Sequence, residues 1–271
     1  QAFKDCGNLA SVSLNEGLEY ICSHAFENSG VTSIIIPDSV VEVDYKAFYN
    51  CDSLTNVVIG SGVGELTSSN FADCDSLKEF NVPATIEQLS ASVIRDCSSL
   101  ERINVASNNP NYSSIDGVLF DKYAEYMLTY PDGKVGAYTV PSTVTNIQSA
   151  AFDSATKLTS VVIPNSVTYI NSITFIGCTA LNNVVLSENI TDIDSYAFEN
   201  CRSLTEINIP ASVTYIDGFA FIDCTALKAI NVAEANTEYA SQNGMLYTKD
   251  KEALILAPYG IEGAVVVPQG T

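Results

Sequence analysis

A single register of leucine, proline, phenylalanine and cysteine columns recurs along this chain at one fixed step, and it limits the available folds more than any other feature. Leu54, Leu77 and Leu100, then Leu158, Leu181, Leu204 and Leu227, each open a unit. The unit reads Leu-x-x-Ile-x-Ile-Pro-x-x-Val-x-x-Ile-x-x-x-Ala-Phe-x-x-Cys-x-x. Earlier units start at Leu9 and Val31, a slightly shorter step. Phe26, Phe48, Phe71, Phe152, Phe175, Phe198 and Phe221 share one position, and Pro37, Pro83, Pro141, Pro164, Pro210 and Pro268 share another. Cys6, Cys51, Cys74, Cys97, Cys178, Cys201 and Cys224 form a further column.

A unit this short buries little of its own apolar surface, so the units must stack until their columns merge into one core. Leu-x-x-Ile-x-Ile has the period-2 alternation of a short strand, and stacking such strands makes a parallel sheet. The proline after it cannot donate to a ladder, so it ends the strand. Val-x-x-Ile-x-x-x-Ala-Phe then predicts a return through a second extended or 3₁₀ segment with Phe in the core. Little α-helix is expected. The predicted fold is a mainly β repeat solenoid, a right-handed superhelix of ~23-residue coils carrying a parallel sheet.

Two longer steps interrupt the period. Leu100 to Val135 and Leu227 to Glu262 are equal in length, and the two segments align at an offset of 127: Tyr112 with Tyr239, Asp116-Gly117 with Asn243-Gly244, Pro131 with Pro258. Gly117 to Phe120 and Tyr126 to Tyr130 flank the polar stretch 121–125, which predicts a β-hairpin at the solenoid edge. Asp-Gly and Asn-Gly suit positive φ. The expected organisation is a single solenoid over 1–271, with regular coils at 1–105 and 135–232 and irregular units at 106–134 and 233–261. Ala2-Phe3-Lys4-Asp5-Cys6 looks like the tail of one coil and Val265–Pro268 like the strand of another, so a piece of a longer array is expected.

These residues resemble the BspA-like (Treponema pallidum-type) leucine-rich repeats over essentially the whole chain, the irregular Asp116-Gly-Val-Leu-Phe and Asn243-Gly-Met-Leu-Tyr segments included. The resemblance implies a secreted or cell-surface protein that adheres to host matrix or neighbouring-cell proteins without enzymatic activity. It supplies no catalytic residue and no cofactor. A carbohydrate-binding surface module and a structural spacer are the alternatives.

Charge narrows the partners. Twelve basic against 32 acidic side chains give a net charge of −20, which disfavours nucleic acid and anionic lipid. No apolar stretch reaches the roughly 18 residues of a membrane span. A protein partner and a monomeric chain are expected. The outward strand positions of the sheet are the candidate binding face, with Ile35, Val58, Val162, Val185 and Asn208 its leading residues; Ile35–Val58 and Val162–Val185 make two apolar patches.

Other residue types fit structural roles first. The cysteine column reads as a buried ladder of free thiols. The Asp or Asn that often precedes the column cysteine, as at Asp5, Asn50, Asp73, Asp96, Asn200 and Asp223, reads as a polar ladder satisfying turn amides. Asp52, Asp73, Asp75 and Asp96 crowd one edge of three coils, which makes them a candidate calcium site. Tyr20, Tyr169 and Tyr215 share a column open to packing or to stacking on a ligand. The only histidine, His24, reads as a solvated turn residue.

Overall fold

The computed structural model describes residues 1–263, 265 and 267. The strand expected over Val265–Pro268 therefore lies, at Val266 and Pro268, outside the described residues. The chain divides into two compact units, one built from Gln1–Ala124 with Leu128–Lys134, the other from Glu125–Met127 with the chain from Val135 onward.

Each unit is a stack of coils whose strands pair in parallel. In the first unit Ser33–Ile35 pairs with Asn56–Val58, and Glu79–Val82 pairs with Arg102–Val105, residue for residue at the repeat spacing. In the second, Gly136–Thr139, Leu158–Val162 and Asn183–Val185 form one parallel sheet, and Glu206–Ile209 pairs with Ala229–Val232. The alternation does what the sequence predicts: Ile34, Val57, Phe80 and Ile103 are buried, while Ile35 and Val58 face solvent. After the strand, the proline carbonyl accepts the amide three residues on, as from Val40 to Pro37 at 3.1 Å and from Val167 to Pro164 at 3.0 Å. That turn aims the valine of Pro-x-x-Val into the core. The return is a two-residue ladder, for example Tyr169–Ile170, Asp192–Ile193 and Tyr215–Ile216 in register. No α-helix occurs among the described residues; one 3₁₀ turn spans Ala91–Ile94, capped by the Ser90 hydroxyl.

The phenylalanine column forms two continuous ring stacks. Phe26, Phe48 and Phe71 lie 4.9 and 5.0 Å apart, and Phe152, Phe175, Phe198 and Phe221 lie 4.7, 5.1 and 5.3 Å apart. The column cysteines from Cys51 onward are buried and free, and each thiol donates to the phenylalanine carbonyl of the preceding coil: Cys51 to Phe26, Cys74 to Phe48, Cys178 to Phe152, Cys224 to Phe198, all within 3.0–3.3 Å. Cysteine is small, apolar and a weak donor, which is what this position asks for. Cys22 is exposed and Cys6 half-buried.

Two turn positions recur as left-handed, though not both in every coil. One precedes the cysteine column: Asp5, Asn50, Asp73, Asp96, Asn200 and Asp223 have φ of 55–61°. Asx residues tolerate this region better than other side chains do, so backbone conformation is the stronger reason for the column. The column side chains bond to one another, with Asn28 donating to Asp5 and Asn50 donating to Asn28, and not to turn amides as expected. The other position holds His24, Lys46, Ser69, Ala150, Ile173 and Tyr196, of which Ile173 at φ 53° is β-branched and strained. Ile173→Asn is expected to raise stability by about 1 kcal/mol, since Asn visits this region at little cost. A urea midpoint that fell instead would show that the half-buried isoleucine side chain outweighs the strain.

The irregular units hold the expected hairpin, with Val118–Asp121 and Tyr126–Thr129 as hydrogen-bonded neighbours, and a second hairpin turn beside it. The second turn lies at Asp116-Gly117, between the antiparallel strands Tyr112–Ile115 and Val118–Asp121. The copy at Asn243-Gly244 joins Tyr239–Gln242 to Met245–Thr248, which then pairs with Leu254–Leu256. Both turns have positive φ at both residues, the type I′ geometry that matches strand twist. A Cβ at Gly117 would stand 2.7 Å from the Cβ of Arg102, so the second residue must be glycine on steric grounds too.

Each irregular unit is fastened to the coil before it by a buried asparagine. Asn236 donates to the Pro210 and Val213 carbonyls at 3.0 and 2.8 Å and accepts the Glu238 and Tyr239 amides at 2.9 and 2.7 Å. Asn109 repeats this with Pro83, Ile86, Asn111 and Tyr112. The hydroxyls of Tyr112 and Tyr239 then accept the amides of Leu89 and Ile216, in the place where the regular ladder would continue.

Candidate functional site

Outward side chains of the parallel strands form a row down each unit. In the first, Ile35, Val58, Asn81 and Asn104 occupy this row, Ile35 opposite Val58 and Asn81 opposite Asn104. In the second, Val162 stands opposite Val185, and Asn208 opposite Asn231. Ile35 is 63% exposed, and Val58 and Val185 are each 46% exposed. The strand face thus brings Val58 together with Asn81 and Asn104, and Val185 together with Asn208 and Asn231.

Each set lines a groove. The first, of about 400 Å³, is floored by Val58, Val82, Pro83 and Val105 and edged by the two asparagines. The second, of about 320 Å³, has Val185, Ile209, Pro210 and Val232 in the same positions, at the offset that relates the two irregular units. Asn104 Nδ2 donates to Asn81 Oδ1 at 3.1 Å and lies 3.4 Å from a Glu79 carboxylate oxygen. Asn231 makes the same pair of bonds to Asn208 and Glu206 at the same distances. A charge difference separates them: Arg102, 3.6 Å from Glu79, is replaced by Ala229 in the second unit.

Asn81, Asn104 and Asn231 are absent from the residues the sequence singles out. An outward asparagine in a strand looks like ordinary solvated surface. Its signal was the offset between the irregular units, which superposes Val58-Asn81-Asn104 on Val185-Asn208-Asn231.

The four aspartates proposed for calcium are not gathered into a cation site. Among the described residues, no group of three or more His, Cys, Asp or Glu side chains is arranged to hold a metal ion. Asp73 and Asp96 serve the left-handed turn, and Asp75 accepts the Ser98 amide and hydroxyl. Burial, with the negative charges of Asp75 and Asp73, raises the Asp52 carboxyl above its ordinary range. The acids repel one another along this edge.

His24 also departs from expectation. Its Nδ1 faces the Glu27 carboxylate, which Lys4 also pairs with at 2.7 Å, and its ring meets Tyr45 edge-on. Hydrogen bonding from Lys4 holds Glu27 below the usual carboxylate range. Glu27 is thereby tied to Lys4 and His24. Of the tyrosine column, Tyr20 and Tyr215 are exposed and Tyr169 is half-buried.

A family model for the BspA type leucine rich repeat region, in 6 copies, matches residues 1–123 and 130–245. Among solved structures, the pneumococcal vaccine antigen PcpA is 23% identical and superposes with a TM-score of 0.74, over 84% of this chain and 57% of its own. A leucine rich cell surface protein from Faecalibacterium prausnitzii is 26% identical with a TM-score of 0.69, over 88% of this chain and 70% of its own. A leucine-rich repeat protein from Bacteroides ovatus is 23% identical with a TM-score of 0.61, over 86% of this chain and 63% of its own. The chain therefore spans between 57% and 70% of the length of these neighbours. No curated protein matches it.

Proposed function

The chain belongs to the BspA-type leucine-rich repeat family, and on that premise we propose that it is a non-enzymatic interaction module, secreted or displayed at a cell surface, that binds a protein partner on its strand face. The observation that carries this reading is the duplicated groove. An apolar floor edged by amides suits a partner's backbone and apolar side chains together. The Asn104–Asn81 bond uses one donor and one acceptor, leaving the Asn81 donor and the Asn104 acceptor for a ligand. The surface-protein neighbour from Faecalibacterium prausnitzii fits the proposed location. No helix of the described residues is long and apolar enough to cross a membrane.

The test starts from capture of matrix and cell-surface proteins, followed by titration of one purified captured protein. Val58→Lys and Val185→Lys, one in each groove, are expected together to weaken that binding at least ~100-fold, by placing a charge on each apolar floor. Both sites are exposed, so the fold should survive. Unchanged affinity in the double variant would move the partner off this face.

A further inference from the structure

The return side of the second unit carries aromatic rings and carboxylates on one edge. Tyr169, Asp192 and Tyr215 are register partners across three parallel segments. Tyr169 Oη donates to Asp194 Oδ2 at 3.1 Å, and Tyr215 Oη donates to Asp217 Oδ2 at 3.2 Å. Asp217 also accepts the Phe219 amide at 2.8 Å, which joins the tyrosine row to the next turn. At that turn the rings of Tyr196 and Phe219 stack, with centroids 5.7 Å apart and planes within 14°. Unlike the interior stack, this pair stays open to solvent, Tyr196 37% and Phe219 55% exposed.

The second unit's own sequence is poor in cations here. Between Lys157 and Lys228 the only basic residue is Arg202, after the cysteine column. The first unit differs at the matching turn. Lys46 holds the left-handed position that Tyr196 holds in the second, and its Nζ lies 3.8 Å from the Tyr49 ring centroid and 5.5 Å from that of Tyr45. The first unit therefore covers its rings at this turn with its own ammonium group. The second displays rings at the same turn, beside three aspartates, and has no lysine at the matching position.

We propose that the Tyr196–Phe219 edge docks an arginine- or lysine-rich segment of a partner protein, with cationic side chains over the two rings and their charges against Asp192, Asp194 and Asp217. Ring faces attract cations, and guanidinium groups also stack on them, so arginine is preferred to lysine. The Tyr169 and Tyr215 hydroxyl protons are already committed to aspartates, so this edge offers acceptors and ring faces. A neutral polysaccharide can donate its hydroxyls to the carboxylates but forms no ion pair with them, so a cationic segment gains more from this edge. The net charge of −20 steers a basic segment toward the chain, but it does so everywhere; the rings give the edge its selectivity.

The test is fluorescence anisotropy of a labelled octa-arginine peptide titrated with the 271-residue chain at physiological salt, where distant charges are largely screened. Tyr196→Ser with Phe219→Ser leaves the net charge unchanged and is expected to weaken binding about tenfold. Octa-lysine is expected to bind more weakly than octa-arginine. Glu65→Gln with Glu87→Gln, on the first unit, removes two charges elsewhere and is expected to change affinity less than about twofold. Equal binding by the ring variant and the parent would overturn the proposal. So would a larger loss in the Glu65/Glu87 variant, which would assign the binding to overall charge. Binding of a neutral glycan that the ring variant abolishes would overturn it too, by giving the edge a different occupant.

Discussion

Phe198→Ala is expected to cost about 3–5 kcal/mol of stability, the range for truncating a fully buried aromatic side chain. Its ring is sandwiched between Phe175 and Phe221 at 5.1 and 5.3 Å, nearly parallel to both. The neighbours cannot close the gap. Each is held by its own backbone, as Phe175 N donates to the Ala197 carbonyl at 2.8 Å and the Phe221 carbonyl accepts the Cys224 amide at 3.3 Å. A cavity left between two fixed rings keeps most of its penalty. Phe3 offers the contrast: it stacks on Phe26 alone and is partly exposed, so Phe3→Ala should cost about 1 kcal/mol. Urea unfolding followed by circular dichroism measures both. A Phe198→Ala loss below about 1 kcal/mol would mean that the coil relaxes around the gap, and that the stack does not set the spacing of the coils.

Why the ring stack was legible and other features were not follows from what each leaves in the sequence. Burial at a fixed step forces the same residue type back again, so Leu54, Phe48 and Cys51 each belong to a column that periodicity reveals. Period-2 alternation likewise separates Ile35 from Ile34. Backbone conformation leaves a weaker trace. Asp73 and Asn200 hint at the left-handed turn, but Lys46, Ala150 and Ile173 hold the same conformation with side chains that give no sign of it. The strand-face grooves were half visible: Val58 and Val185 stand out as outward apolar residues, while Asn81 and Asn231 look like solvent-exposed surface until the offset between the irregular units pairs them. The aspartate edge shows the converse: Asp73 and Asp96 recur because their turn is left-handed, so their recurrence is accounted for without a cation.

Asn236→Ala should be as damaging as the loss of a core ring, although no cavity of comparable size is made. The side chain is buried and fully engaged, donating twice and accepting twice. Truncation strands the Val213 carbonyl and the amides of Glu238 and Tyr239, while the Pro210 carbonyl loses one of its two donors and keeps the Val213 amide at 3.4 Å. An orphaned buried polar group costs about 1–3 kcal/mol, and water entering the vacated space recovers part of it, so the net loss is expected to be about 4 kcal/mol. Asn236→Asp separates hydrogen bonding from shape. An aspartate keeps the two acceptors but turns both donors into negative charge against the two carbonyls, so at neutral pH it should be no better than alanine. Asn109→Ala is the matching experiment in the first unit, and a loss of similar size is expected there. Both are read from urea midpoints. A loss under about 1 kcal/mol at Asn236 would show that the irregular segment docks through Tyr239 and its apolar neighbours without needing the amide. A large loss at both sites would explain why asparagine recurs at the one position where each longer step departs from the coil, because only a side chain with two donors and two accepting lone pairs closes that junction.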